Sequence, residues 1–133
     1  MSELWASSIA AERAAVGLAG RHQGVHDVPQ LEIIMSVKVV AFVTVKQGQE
    51  EAFVAAAQPC IAASRAETGV LRYDLWQEVD GDRRFVFDEL YFDHGAVQAH
   101  MASDHFKAFG LAARDLAATR PSITVAEAIE VAS

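Results

Sequence analysis

The 133-residue chain contains a single cysteine, Cys60, and this scarcity excludes two kinds of site. One thiol cannot form an intrachain disulfide, and a zinc site built on cysteines would need ligands that the chain lacks. Cys60 stands in the middle of a predicted helix, on its apolar stripe and with no basic neighbour in sequence, which favours packing over reactivity. We therefore expect a protein of a reducing compartment, the cytoplasm.

Long apolar runs and an excess of basic residues are also missing. No stretch approaches the roughly 18 apolar residues that a membrane-spanning helix needs, and the N-terminus has no basic region ahead of a continuous apolar one, as an export signal would. Lys and Arg number 11 against 18 acidic residues, which gives a net charge of -7. Because this charge repels phosphate backbones, we expect neither nucleic acid nor membrane as a partner.

What remains is the composition of a globular protein, 52% hydrophobic and 22% charged. The length suffices for one core of ordinary size and is too short for two typical domains. Residues 1–34 differ from the rest, because an Ala-rich helical stretch is followed by a segment that Gly24 and Pro29 interrupt. We treat residues 1–34 as an N-terminal arm and residues 35–133 as the folded domain.

Hydrophobic periodicity predicts the order of helices and strands in this domain. The predicted strands are 37–45, 70–79, 84–92 and 122–131, and the predicted helices are about 50–66, 94–101 and 105–118. The order β-α-β-β-α-β is the ferredoxin-like arrangement of an α+β protein, in which helices cover one face of a four-stranded sheet. Because the other apolar face is left bare, we expect a homodimer whose two sheets pack face to face.

The second and third strands are predicted to form an antiparallel hairpin, because Asp80-Gly81 is a strong turn signal between two β-rich runs. A two-residue turn at this dipeptide places Arg72 opposite Glu89. Since side chains alternate along a strand, this register divides the hairpin into two faces. One face carries Arg72, Asp74, Trp76, Phe85, Phe87, Glu89 and Tyr91, and the other carries Leu71, Tyr73, Leu75, Val86, Asp88, Leu90 and Phe92. Gly69 is expected to end the preceding helix in the left-handed conformation.

His100 is the leading candidate for a catalytic group. It lies on the same helical stripe as Val97, so it should point inward, where a neutral imidazole can act as a general base. It can equally be a structural histidine bonded to a backbone carbonyl or to Glu89. A carboxylate as buried as Glu89 must be paired or have a raised pKa, so Glu89 either orients His100 or is held by Arg72.

The other histidines and aromatic residues have weaker functional interpretations. His105 can cap a helix, lie in solvent near the dimer rim or, as its Ser-x-His-Phe pattern suggests, line the mouth of a cavity. His94 is expected to be solvated. The aromatic residues Trp76, Tyr73, Tyr91 and Phe87 either line a pocket for a planar ligand or are ordinary core. The spacings of six and five residues between successive histidines do not stack two rings on one helix face, so no metal site is predicted.

Several of these residues form a pattern that resembles the antibiotic biosynthesis monooxygenase family. The pattern joins a strand entry, the end of the third strand, a histidine on a helix and a Ser-x-His-Phe motif. In this chain it comprises Glu67, Gly69, Tyr73, Glu89, Tyr91, His100, Ser103, His105 and Phe106. The resemblance covers roughly residues 35–131 and implies a dimeric α+β barrel with a small cavity between sheet and helices.

For function, the resemblance implies oxidation of a phenol, quinol or anthrone by O2 with no metal or flavin. Other members of this fold degrade heme or isomerise a small carbonyl metabolite, and a non-catalytic dimeric binding or stress protein is a further alternative. Heme ligation is disfavoured, because Ala41, His100 and Gly110 stand where heme-degrading relatives have Asn, Trp and the iron-binding His. We expect no cofactor.

The expected reaction begins with proton abstraction by His100. Glu89 is expected to fix the imidazole ring, and Arg72 or Tyr91 to stabilise the developing oxyanion. The residues expected to contact the substrate are Tyr91, Trp76, Phe87, Tyr73, His105 and Phe106.

Overall fold

The computed structural model describes residues 36–81 and 83–131, which form four strands and three helices. In chain order these are β1 (Val37–Thr44), α1 (Glu50–Arg65), β2 (Val70–Gln77), β3 (Arg84–Tyr91), α2 (His94–Met101), α3 (Asp104–Arg114) and β4 (Ser122–Glu127). The order is the predicted one, although several elements end earlier than their hydrophobic patterns do. The predicted N-terminal arm, 1–34, lies outside the described residues.

The sheet has the strand order β2-β3-β1-β4, and each neighbouring pair is antiparallel. This confirms the predicted ferredoxin-like α+β fold. Burial alternates along β1 and β3, because one face of the sheet packs on the helices and the other does not. At the centre of the covered face, the ring of Phe53 from α1 contacts those of Phe85 and Phe87 from β3 and Phe109 from α3.

The hairpin register differs from the predicted one by a single residue. Gln77 pairs with Phe85 and Tyr73 pairs with Glu89, whereas a two-residue turn would place Arg72 opposite Glu89. The connection is longer than predicted: the amide of Glu78 donates to the carbonyl of Arg84, and Asp80 takes a positive φ of 68°. Since a slip of one residue reverses every side chain, Tyr73 faces the helices while Arg72 and Trp76 lie on the opposite face.

Gly69, between α1 and β2, is required for a different reason from the predicted one. Its φ is not positive, and Ala66, the C-cap that follows α1, takes a right-handed conformation. Instead, a Cβ atom at Gly69 would lie 2.5 Å from the Cβ of Ala96 on α2. The absence of a side chain therefore lets this loop pack directly against α2.

The uncovered face of the sheet is mixed in character. The indole of Trp76 is 60% exposed there, and Val86 and Leu90 of β3 are half-buried. Asp88 forms an ion pair with Lys38 on the same face. Within the described residues, none of the helices is long and apolar enough to cross a membrane.

Candidate functional site

His100 lies in the last turn of α2, where 2% of its surface is exposed. Its Nδ1 atom is 2.8 Å from Oε2 of Glu67, in the loop that Gly69 holds against α2. The same oxygen is 2.7 Å from Nε2 of His105, in the first turn of α3. One carboxylate oxygen therefore joins two imidazole rings from two helices.

Local capping interactions orient both helices that carry these rings. The Oδ1 atom of Asp93 accepts a hydrogen bond from the amide of Ala96 at the start of α2, and the Oγ atom of Ser103 accepts one from Phe106 at the start of α3. The hydroxyl of Ser103 also donates to the carbonyl of His100, at 2.5 Å. These bonds fix the short connection between α2 and α3, so His100 and His105 face the same carboxylate.

Aromatic rings enclose the imidazole of His100. The ring centroids of Tyr73, Tyr91, Phe106 and His105 lie 5.2, 5.5, 5.1 and 5.7 Å from that of His100. The hydroxyl of Tyr73 is 3.5 Å from Nε2, at the limit of a hydrogen bond. Nε2 of His100 thus faces a phenol in apolar surroundings. Such surroundings suit a nitrogen that accepts a proton from an aromatic substrate.

Burial lowers the pKa of His100, because the imidazolium loses its hydration, and the carboxylate of Glu67 opposes this shift. The ring is therefore mainly neutral at pH 7. Where Oε2 of Glu67 accepts the hydrogen on Nδ1, Nε2 of the neutral ring keeps its lone pair. This is the protonation state of a general base whose reactive nitrogen is Nε2.

Glu89 is buried on β3 beside this cluster but bonds to a different partner from those predicted. The hydroxyl of Tyr91 donates to its Oε1 atom at 2.6 Å. Burial raises the pKa of Glu89 to about 7, and the bond from Tyr91 and the charge of Lys38 only partly offset this effect. Burial and the charge of Glu89 in turn raise the pKa values of Tyr73 and Tyr91. The expectation that Glu89 orients His100 is wrong in this structure, since Glu67 occupies that position.

Arg72 and Trp76 are separated from the site by the sheet itself. Nη1 of Arg72 lies 3.8 Å from Oδ2 of Asp88 on the uncovered face, with half of its side chain exposed. The predictions that Arg72 holds Glu89 and that Trp76 lies on the same sheet face as Glu89 are therefore wrong. Both predictions assume a two-residue turn, whose register differs by one residue from the observed one. Conversely, the predicted register places Tyr73 on the sheet face opposite to Glu89, whereas in the structure Tyr73 is the cross-strand neighbour of Glu89.

The remaining predicted residues divide between the site and the core. Phe106 and His105 contact His100, and Phe87 packs against Tyr73 with ring centroids 5.9 Å apart. Cys60 is buried, with Sγ 3.7 Å from Oγ of Ser64 and 3.8 Å from the hydroxyl of Tyr73. Burial raises the pKa of its thiol, which keeps Cys60 protonated and in a packing role.

His94 is not solvated, and the structure corrects this expectation. Its Nε2 atom is 2.8 Å from Oε2 of Glu127 at the end of β4, and its side chain is only 13% exposed. His94 thus links the start of α2 to the edge of the sheet, away from the cluster around His100.

Glu67, His100 and His105 could also hold a metal ion. They offer one donor atom each, and these atoms lie within 4.8 Å of one another. Two imidazoles and one carboxylate are donors that suit zinc or iron. The absence of a metal is predicted from the spacing of the histidines along the chain, a criterion that does not include Glu67. The absence of a metal therefore stays a prediction.

Glu67 is the site residue that the sequence interpretation missed. It stands 33 residues from His100 in the chain, and its local pattern indicates only the end of a helix. The signal that could have identified it is its place in the family pattern, where Glu67 precedes Gly69 and Tyr73.

Two surface cavities of the described region lie near β2. One, of about 320 Å³, is lined by Arg65, Val70, Leu71, Arg72, Tyr73 and Asp74. The other, of about 300 Å³, is lined by Glu50, Glu51, Val54, Ala55, Gln58, Gln77 and Phe85. Of the residues around His100, only Tyr73 contributes to either lining.

Comparison with known protein families matches residues 36–110 to the family described as "Antibiotic biosynthesis monooxygenase". The chain is 34% identical over 76 residues to a Bacillus subtilis protein named "Putative monooxygenase YcnE", a match that spans 57% of this chain and 80% of that protein. It is 28% identical over 89 residues to the uncharacterised Synechocystis protein sll1783, across 67% of this chain and 60% of that protein. The family match includes most of the residues that surround His100.

The fold is also shared with solved structures. Rv0793 from Mycobacterium tuberculosis is 28% identical, with a TM-score of 0.68 over 74% of this chain and 99% of that one. PA3566 from Pseudomonas aeruginosa is 26% identical, with a TM-score of 0.68 over 74% of this chain and 98% of that one. Nearly the whole of each relative thus corresponds to the ferredoxin-like part of this chain.

Proposed function

Because the chain belongs to the antibiotic biosynthesis monooxygenase family, we propose that it is a monooxygenase that oxidises a small phenol, quinol or anthrone-like substrate with O2 and no cofactor. The observation that supports this most directly is the buried His100, which faces a phenolic hydroxyl through Nε2 while Nδ1 is bonded to a carboxylate. A neutral imidazole in aromatic surroundings can accept a proton from an aromatic substrate that stacks there.

The proposed reaction needs no outside reductant, since the substrate supplies all four electrons. His100 takes a proton from the substrate AH2, and the resulting anion AH⁻ gives electrons to O2 and forms the peroxide anion AH–OO⁻, to which His100 returns its proton. The hydroperoxide AH–OOH then loses its remaining substrate hydrogen as a proton and its outer oxygen as hydroxide, which leave together as water, so that AH2 + O2 gives AO + H2O. A dry aromatic site favours the reaction of this anion with O2, because water is not there to return a proton to the anion.

Tyr73 replaces Arg72 as the group proposed to stabilise the developing oxyanion. Its hydroxyl lies beside Nε2 of His100, where the substrate proton is transferred. The hydroxyl of Tyr91 is engaged by Glu89, so Tyr91 contributes packing and fixes the neighbouring carboxylate.

Oxygen consumption tests this function. The chain is supplied with a panel of quinols, phenols and anthrones, with and without a chelator, and uptake of O2 is followed together with incorporation of ¹⁸O into the product. We expect uptake that needs substrate, survives chelation and falls by about 10² to 10⁴-fold in His100→Ala. Conversion without O2 would favour the isomerase, binding without conversion the non-catalytic alternative, and activity within a few-fold of wild type in His100→Ala would exclude His100 as the base.

We further propose that a second copy of the chain covers the uncovered sheet face. The exposed indole of Trp76 and the half-buried Leu90 and Val86 supply apolar surface for face-to-face packing. Trp76→Glu should place a charge in this interface and convert a dimer to a monomer, as light scattering after gel filtration would measure. Ile129→Glu is a matched control, because Ile129 is 82% exposed but lies beyond β4.

A further inference from the structure

Glu67 is the link between His100 and the surface of the molecule. Its side chain is 18% exposed, whereas that of His100 is 2% exposed. The loop that carries Glu67 approaches α2 closely because Gly69 has no side chain to separate it from Ala96. The close packing of the Gly69 backbone against Ala96 thus sets the position of the carboxylate relative to the imidazole.

We propose that Glu67 is the positioning residue of His100: its carboxylate holds the hydrogen on Nδ1, presents Nε2 as the proton acceptor and stabilises the imidazolium formed when Nε2 takes a proton. His105, bonded to the same oxygen, is the second donor that keeps this carboxylate in place. The proposal rests on the proposed function for its kinetic consequence, but the tautomer that it specifies is a property of the free protein.

The titratable groups packed around His100 leave Glu67 as its anionic partner within the described residues. Tyr73 from β2 faces the other ring nitrogen, and Tyr91 from β3 contacts the ring while its hydroxyl is bonded to Glu89. His105 from α3 bonds to Glu67 rather than to His100. The thiol of Cys60 on α1 contacts the hydroxyl of Tyr73.

The chemistry of a shared carboxylate oxygen explains why two histidines are needed. A neutral imidazole has one N–H donor and one acceptor, so a bond to a carboxylate selects the tautomer. A second N–H, from His105, holds the same carboxylate oxygen in place at 2.7 Å. The carboxylate of Glu67 is then positioned to stabilise the imidazolium that forms when His100 takes a proton from the substrate.

The first test is the tautomer of His100 in the substrate-free protein, measured by ¹⁵N NMR of the imidazole nitrogens at pH 7 to 8. We expect hydrogen on Nδ1 in the wild type and in Glu67→Gln, whose amide oxygen still accepts, and a mixture of tautomers in Glu67→Ala. Glu127→Gln is the matched control, since Glu127 binds His94 on the same helix at the same distance of 2.8 Å. Hydrogen on Nε2 in the wild type would overturn the proposal, and so would a stoichiometric metal ion that uses Nδ1 as its ligand.

The second test separates positioning from substrate binding. Glu67→Gln should lower kcat by about 10²-fold with KM changed by less than about threefold, because the charge is lost while the tautomer is kept. Its acidic limb in the pH profile of kcat should move to lower pH, since His100 becomes a weaker base without the neighbouring carboxylate. Glu67→Asp should restore part of kcat, and Glu127→Gln should stay within twofold of wild type.

Unchanged kcat in Glu67→Gln would overturn the positioning role. If His100→Ala is also unchanged, the proposed function fails as well, whereas loss in His100→Ala alone would leave that function intact. If no substrate is turned over, the tautomer measurement alone decides the proposal.

Discussion

Each of the two histidines of α2 contacts a different glutamate at the same distance, yet the surroundings of the two imidazole rings differ. His94 is the first residue of the helix and lies 2.8 Å from Glu127 on β4. His100 lies in the last turn and is 2.8 Å from Glu67 in the loop before β2. Around His100, aromatic rings replace water, and its second nitrogen faces the hydroxyl of Tyr73. The second nitrogen of His94 has no hydrogen-bond partner in the described part of the chain.

This difference shows that a contact between histidine and glutamate does not by itself identify a functional histidine. The His94 pair connects the start of α2 to the end of β4. At His100 the same pair is combined with a desolvated ring and a neighbouring phenol, and these are the surroundings in which we propose that the imidazole acts as a base. Removing or altering each pair separately should therefore have unequal consequences.

The largest expected difference concerns truncation of the two rings. His100→Ala removes a side chain that is in contact with several rings, so it should lower the free energy of unfolding by about 3 to 5 kcal/mol, as for other buried rings. His94→Ala removes one hydrogen-bonded pair near the surface and should cost about 1 kcal/mol. Urea unfolding of both variants at pH 7 measures this difference, and equal losses would show that the aromatic enclosure adds nothing to stability.

The second expected difference is in pH dependence, and it involves the buried acid beside His100. Burial raises the pKa of Glu89 from its ordinary value of 4.5 to about 7. An acid whose pKa is raised by folding contributes stability that is fully present below pH 4.5 and is lost as the pH rises through 7. Relative to wild type, Glu89→Gln should therefore gain about 3 kcal/mol of stability between pH 4.5 and 8.

Urea unfolding at several pH values measures the Glu89 effect. His100 acts in the opposite direction, because its lowered pKa contributes stability that is lost on acidification, so the comparison is between variant and wild type at each pH. A constant difference between Glu89→Gln and wild type over this range would contradict the raised pKa.

Local features of this protein could be predicted from sequence because periodicity records burial. The strands, the stripe of α1 and the inward direction of His100 each depend on residues a few positions apart. The caps Asp93 and Ser103 are equally local features, since each bonds to an amide three residues along the chain.

Features that depend on one loop conformation could not be predicted. Asp80 takes a positive φ in a connection longer than two residues, and this single difference exchanged the faces of Tyr73 and Trp76. Both residues are aromatic, so the hydrophobic pattern did not distinguish the two registers. The contact between Glu67 and His100 was hidden for a related reason, because it depends on the close approach of Gly69 to Ala96, which no local pattern encodes.

The third prediction moves the loop away from the buried pair without touching either of its members. Gly69→Ala would place a Cβ atom 2.5 Å from that of Ala96, so the loop or α2 must shift. The expected cost is about 1 to 3 kcal/mol, the usual range for overpacking. Adding Ala96→Gly to this variant removes the clash, but glycine inside a helix itself costs about 1 kcal/mol. Apart from that cost, the double variant should recover most of the stability that Gly69→Ala loses. Additive losses in thermal unfolding would show that the close approach does not matter.

The smallest expected effect is at the other end of α2, where Glu127→Gln keeps an acceptor for His94 and removes only a charge. Because both side chains are partly exposed, solvent screens the pair, and we expect a loss below about 1 kcal/mol. The loss should decrease further in about 0.5 M NaCl if it is electrostatic, as urea unfolding at two salt concentrations would measure. Activity should not change, since His94 lies outside the aromatic enclosure. A kinetic effect as large as that of Glu67→Gln would mean that the two pairs are coupled through α2, and that the enclosure around His100 is not what separates a catalytic imidazole from a structural one.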